Sequence, residues 1–170
     1  ASAVYRMDTQ RGLLTRLPLQ CTDLIRSMED SKGRIWAGSF RQGLFMWNGA
    51  QTYHILQGGI PSKDINYEIV RGFIEDHHHN IWVSFQGGIG KMDEGKMRFV
   101  PLCHPLLDRY KVVNEFHVDK EDNIWVATSQ GLFAYSQSKN KVFLPKDIVS
   151  DHLVQRQLDA PCKALLIDRQ

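Results

Sequence analysis

Residues 119–135 read DKEDNIWVATSQGLFAY, and the pattern of that stretch occurs three times in the chain. It reads as a tight turn, a strand centred on Trp125, a small-residue corner holding Gly131, and a second strand through Phe133 and Tyr135. Residues 30–47 (DSKGRIWAGSFRQGLFMW) and 76–92 (DHHHNIWVSFQGGIGKM) repeat the phrase. Trp36, Trp82 and Trp125 stand 46 and 43 residues apart. A strand-rich unit at that period is the mark of propeller blades. The predicted fold is therefore all-β, a partial β-propeller of about three and a half four-stranded antiparallel blades.

The segments between these phrases complete the unit. Each repeat resolves into four strands, a to d. Strand a is expected at 25–29, 70–75 and 114–118, strand b holds the Trp, strand c follows the corner glycine, and strand d closes the blade. Asn48-Gly49 has strong hairpin-turn composition. Residues 4–17 match only the second half of a repeat. The predicted layout is a half blade at 1–20, blades at about 21–57, 67–102 and 112–145, and the start of a further blade at 162–170, where Asp168 occupies the aspartate position. The last d–a connection contains DIVSDHLVQRQL, which has the length for a short helix.

The repeated residues have physical reasons. Asp30, Asp76 and Asp119 can accept backbone N–H groups two or three residues on and close the a–b turn. Gly33, His79 and Asp122 share a turn position expected to take positive φ, which Gly adopts freely and His or Asp tolerate. Gly38, Ser84 and Ala127, two after each Trp, are small enough to let neighbouring sheets approach. Trp36, Trp82 and Trp125 then supply apolar area between blades. Gly43, Gly88 and Gly131 are read as the corner glycines.

Composition excludes several classes. With 42% hydrophobic and 24% charged residues, the chain is an ordinary globular sequence. A net charge of +2 without a basic stripe argues against nucleic-acid contact by this segment. No apolar run approaches the roughly 18 residues of a bilayer span, and residues 1–8 do not read as a signal peptide. Cys21, Cys103 and Cys162 have no zinc-site spacing. No catalytic motif is present, and no metal or other cofactor is expected. The run His77-His78-His79 falls in an a–b turn and reads as a solvated turn.

The pattern D-x-x-G/N-x-I-W-x-x-T…G-L-x-x-Y resembles the two-component regulator propeller repeat. Asp119, Asn123, Ile124, Trp125, Thr128, Gly131, Leu132 and Tyr135 carry it most fully, while the second copy departs at Ile89 and Met92 and the first at Ser39. The resemblance covers nearly the whole chain. It implies the sensor region of Bacteroides-type hybrid two-component histidine kinases. There, seven-bladed propellers in tandem precede an immunoglobulin-like domain, a membrane helix, a kinase, a receiver and a DNA-binding domain. Such a region is periplasmic, binds oligosaccharides released from polysaccharides, and signals to transcription. The resemblance thus implies a non-catalytic piece of a sensor, anchored to the membrane only through regions absent from this sequence.

Alternating strand direction puts the b–c corners and the long d–a loops on one face. That face is the expected ligand site, with Phe40, Arg41, Gln42, Phe85, Gln86, Ser129 and Gln130 as candidates. Arg and Gln side chains offer planar hydrogen-bonding groups, and Phe40 and Phe85 could stack on sugar rings. Three and a half blades leave blade faces open, so either the remaining blades of the sensor or a second copy, as a homodimer closing a seven-bladed ring, is the expected partner. Two alternatives remain. One is a propeller lyase of the streptogramin-inactivating type, with His54, His104, His117 or His152 as candidates. The other is a structural protein-interaction propeller.

Overall fold

The structure, a computed structural model, describes residues 3–55 and 65–168. Residues 1–2, 56–64 and 169–170, which hold the edges of the expected half blade, much of the second d–a loop and the last two positions of the expected further blade, lie outside the described residues. Among the described residues the strands form one hairpin and three four-stranded meanders. The hairpin pairs β1 (Tyr5–Asp8) with β2 (Leu13–Arg16). The first sheet is β3 (Leu24–Glu29), β4 (Ile35–Ser39), β5 (Leu44–Trp47) and β6 (Thr52–Ile55). The second is β7 (Asn66–Glu75), β8 (Ile81–Gln86), β9 (Gly88–Asp93) and β10 (Arg98–Pro101). The third is β11 (Val113–Val118), β12 (Asn123–Thr128), β13 (Gly131–Ser136) and β14 (Lys141–Phe143). Strands pair only with their neighbours in sequence, all antiparallel, as the repeat predicts. Two short helices follow, α1 (Pro145–Ile148) and α2 (His152–Leu158), and α2 is capped by the Asp151 side chain accepting from Leu153 N at 2.7 Å.

The core lies between sheets rather than within one. Trp36, Leu44 and Met46 of the first sheet pack on Val70, Phe73, Phe85 and Phe99 of the second. Trp82 and Ile89 of the second pack on Phe116, Ile124, Phe133 and Tyr135 of the third. Ile35, Ala37 and Phe45 meet Val4 and Leu17 from the hairpin side. The close approach demanded of position 38 is visible. A Cβ on Gly38 would stand 2.6 Å from Val70 Cγ1 of the next sheet, so any side chain there would push the first two blades apart.

The turn chemistry explains why aspartate and tryptophan recur six residues apart. Asp30 Oδ1 accepts from Lys32 N (3.0 Å) and Arg34 N (2.9 Å), and its Oδ2 accepts from Trp36 Nε1 (2.8 Å). Asp76 does the same for His78 N, Asn80 N and Trp82 Nε1, and Asp119 for Glu121 N, Asn123 N and Trp125 Nε1. A buried indole N–H needs an acceptor, and the turn aspartate supplies it. Burial pushes these carboxyls up, but the bonds from indole, backbone and neighbouring side chains outweigh it and hold all three below the usual range. Gly33, His79 and Asp122 take φ of 73°, 65° and 59°, as their shared position requires.

One corner departs from expectation. The left-handed residue of the second corner is Gly87 (φ 102°), not Gly88, whereas Gly43 and Gly131 take that conformation in the other two. Gly88 is already in β9, paired with Phe85, and the corner is reduced to Gln86-Gly87. The first strands also run longer than predicted, most of all β7, which begins at Asn66.

Candidate functional site

The sheets present two unlike faces. At one, the a–b and c–d turns of neighbouring blades are tied together. Glu94, in the second blade's c–d turn, accepts from Arg34 Nη1 and Nη2 at 2.8 and 2.9 Å and from Lys32 Nζ at 2.9 Å. Hydrogen bonding from Arg34 holds the Glu94 carboxyl down to about 2. Gln137, at the matching place in the third blade, donates to Asp76 Oδ2 at 2.9 Å and to the Asp122 carbonyl at 3.1 Å. His77 N and Nδ1 both meet Asp122 Oδ1 at 2.9 Å. His79 meets Glu75 at 3.0 Å, and Ser31 binds Glu75 from the first blade. The histidine run is thus a set of blade-to-blade contacts.

The opposite face carries the b–c corners and the d–a loops, as predicted. Phe40 N bonds the Asp23 carbonyl, and Gly43 N bonds Glu68 O. The predicted site residues divide sharply here. Phe40 is 42% exposed and stays available. Arg41 is exposed and lies 3.4 Å from Asp23. Gln42 is engaged, its Oε1 accepting from Thr22 N and Oγ1. Gln86 is exposed and Gln130 half-buried, with its carbonyl accepting from Arg109. Phe85 is fully buried against Tyr67 and Phe99, so the expectation that it stacks on a sugar is corrected. It is the last inward position of β8, which runs to Gln86.

Ser129 leads to what the sequence reading missed. It lines a cavity of about 450 Å³ with Ile25, Arg26, Arg71, Asn114 and Lys163. β3, β7 and β11 lie side by side as the inner strands, so this is the mouth of the axial channel on the corner face. Each inner strand bulges there. Leu24 and Arg26 oppose adjacent residues Ser39 and Gly38, leaving Ile25 extra. Val70 and Gly72 oppose Phe85 and Ser84, leaving Arg71 extra. Val113 and Glu115 oppose Thr128 and Ala127, leaving Asn114 extra. All three stand five residues before the repeat aspartate, as Lys163 does before Asp168. Residues 161–168 form no strand, yet they run alongside β11: Asn114 Nδ2 donates to Cys162 O at 2.8 Å, and Leu165 N donates to Glu115 Oε2 at 3.2 Å. A bulge re-aims side chains, and bulges gather beside functional sites. A polar residue five before three of the four aspartates, Arg71, Asn114 and Lys163, was the signal available in the sequence.

The four lyase-candidate histidines lie apart, on β6, before a 3₁₀ turn, on β11 and on α2. His54 stacks on Phe45 at 4.2 Å, and His104 caps the turn of Pro105–Leu107. Among the described residues no three His, Cys, Asp or Glu side chains are grouped to hold a metal. No helix among them is long and apolar enough to cross a membrane.

Comparison of this geometry with solved structures gives clear likenesses. The extracellular domain of the proposed one component system BT4673 of B. thetaiotaomicron superposes with a TM-score of 0.63 at 14% identity, over 82% of this chain and 19% of that one. The fold is that of a partial β-propeller. The extracellular domain of the proposed hybrid two component system BT3049 from the same organism gives 0.61 at 17% identity, over 82% and 18%. A catalytically inactive virginiamycin B lyase from Staphylococcus aureus gives 0.57 at 13% identity, over 82% and 47%. The chain thus spans about a fifth of the length of the sensor domains it matches. No protein-family model and no curated protein matches the sequence.

Proposed function

We propose that this chain is part of the periplasmic sensor region of a hybrid two-component regulator, that its corner face takes an oligosaccharide, and that binding there is relayed to transcription by parts of the protein outside this sequence. The chain itself is non-catalytic in this reading. The observation that carries it is the contrast between the faces. The turn face is filled with blade-to-blade bonds, while the corner face opens the axial cavity between bulged strands beside an exposed aromatic, Phe40. Concave sites with a few convergent polar groups are where ligands bind, and loops on a rigid scaffold carry them. Likeness to extracellular sensor domains supports the same reading. The exposed apolar face of the hairpin, with Tyr5, Met7 and Leu14, supports packing by further blades, from a longer chain or from a second copy closing the ring.

The test is a screen of the purified chain against immobilised oligosaccharides, with Phe40→Ala alongside. Binding that weakens several-fold in Phe40→Ala supports the assignment. Absence of binding to every oligosaccharide, or binding indifferent to Phe40 and Arg41, removes the corner face as the site.

A further inference from the structure

The axial mouth has a charge character that narrows its ligand. Arg26, Arg71 and Lys163 come from three neighbouring inner segments to one cavity, and among the described residues no carboxylate lines it. Among the described residues none of the three has an ion-pair partner, although most other arginines of the chain do. Arg71 Nε is buried and has no hydrogen-bond acceptor. Buried donors of this kind are rare in folded proteins and ask for a partner. The Arg71 guanidinium lies 5.8 Å from the centroid of the exposed Phe40 ring, which puts an aromatic beside the cavity. The bulge at Arg71 is what takes this side chain out of the β7–β8 ladder.

Gathering three like charges costs energy unless something neutralises them. A guanidinium pairs with a planar oxyanion through two parallel N–H bonds, a geometry a neutral hydroxyl cannot match. We propose that the axial mouth binds a saccharide bearing a carboxylate, a hexuronate, with Arg71 as the principal contact to the acid, Arg26 and Lys163 flanking it, and Phe40 under the sugar ring. The assignment rests on the oligosaccharide reading above and specifies the class of sugar. Asn114 is held by Cys162 O and Ser129 Oγ, so it shapes the rim.

The experiment is isothermal titration of the whole chain at low ionic strength with three probes: digalacturonate, its neutral disaccharide counterpart, and inorganic sulfate. The same titrations are run on Arg71→Gln and Lys163→Gln, and on Arg11→Gln in the distant hairpin. The expected result is binding of digalacturonate at least tenfold tighter than of either other probe, reduced at least tenfold by Arg71→Gln, several-fold by Lys163→Gln, and unchanged by Arg11→Gln. Lys163 lies on a segment without strand pairing, so its variant reads out binding even if Arg71→Gln were to fold poorly. Equal binding of acidic and neutral disaccharides overturns the acid preference and leaves the oligosaccharide reading standing. Sulfate bound as tightly as digalacturonate overturns the sugar part. Binding of none of the three overturns the proposal, and the oligosaccharide screen then decides the broader reading separately.

Discussion

The two faces of the blade stack are built from the same repeat and put to different uses. On the turn face, each blade reaches back to the one before. Glu94 of the second blade grips Arg34 of the first, and Gln137 of the third grips Asp76 of the second. These bonds sit beside the aspartate–tryptophan clasps and close over them. Trp36 and Trp82 are accordingly buried, whereas Trp125, with no following sheet among the described residues, is only half-buried. On the corner face the side-chain pairs, such as Arg41 with Asp23 and Arg109 with Asp159, are exposed and worth little in water, and neighbouring blades meet through single backbone bonds, Gly43 N to Glu68 O and Gly87 N to Lys111 O. Inner strands bulge there, and Arg26, Arg71 and Lys163 have no ion-pair partner among the described residues. The difference teaches that the side-chain ties between blades gather on one face, which leaves the side chains of the other uncommitted, as the proposed site requires.

The largest effect that sharpens this contrast is Trp36→Ala. Removing a fully buried indole between blades is expected to cost about 3–5 kcal/mol in urea unfolding. Trp125→Ala should cost clearly less, and equal costs would break the link between clasp burial and the following blade. Next is Glu94→Gln, expected to cost about 2–3 kcal/mol because the Arg34 guanidinium loses its paired oxyanion. The pH dependence follows with a definite sign. Glu94 is held at about 2 in the folded chain, below its ordinary 4.5. Its contribution is therefore complete above about pH 4.5 and is lost as pH falls from there toward 2. Glu94→Gln should flatten that part of an acid-unfolding curve. Gln137→Ala, which removes the third blade's bond to Asp76, is expected to cost about 1–2 kcal/mol. Smallest are Phe40→Ala and Gln86→Ala on the corner face, each expected within about 0.5 kcal/mol of wild type in the same assay.

The blade pattern was legible because its markers are local. Turn residues, small residues beside each tryptophan, and strand alternation all depend on neighbours within a few positions. The positive φ at Gly33, His79 and Asp122 followed from one repeated place in one turn. The assignment of corners and long loops to a common face followed from strand direction alone. The reason for the aspartate-to-tryptophan spacing was present too, since an indole N–H bound for the interior needs an acceptor, but it emerges only when the two are seen six residues apart across a turn. Phe85 was misplaced because it stands three after its tryptophan, the place held by the equally buried Ser39 and Thr128, one position before the corner. The axial mouth was not legible as a site. A bulge breaks alternation by one residue, and in strands this short such a break looks like noise until Ile25, Arg71 and Asn114 are superposed.

The account rests on the claim that side-chain bonds tie the blades together at the turn face and not at the corner face. Urea unfolding of Arg34→Ala and Arg71→Ala, side by side with the wild type, addresses it directly. Arg34 joins two blades through Asp30 and Glu94, whereas Arg71 has no ion-pair partner among the described residues. The predicted result is a loss of about 2–4 kcal/mol for Arg34→Ala and no loss beyond about 0.5 kcal/mol for Arg71→Ala. An Arg71→Ala variant destabilised as much as Arg34→Ala would show that the corner-face arginine is part of the scaffold and would contradict the division of labour between the faces.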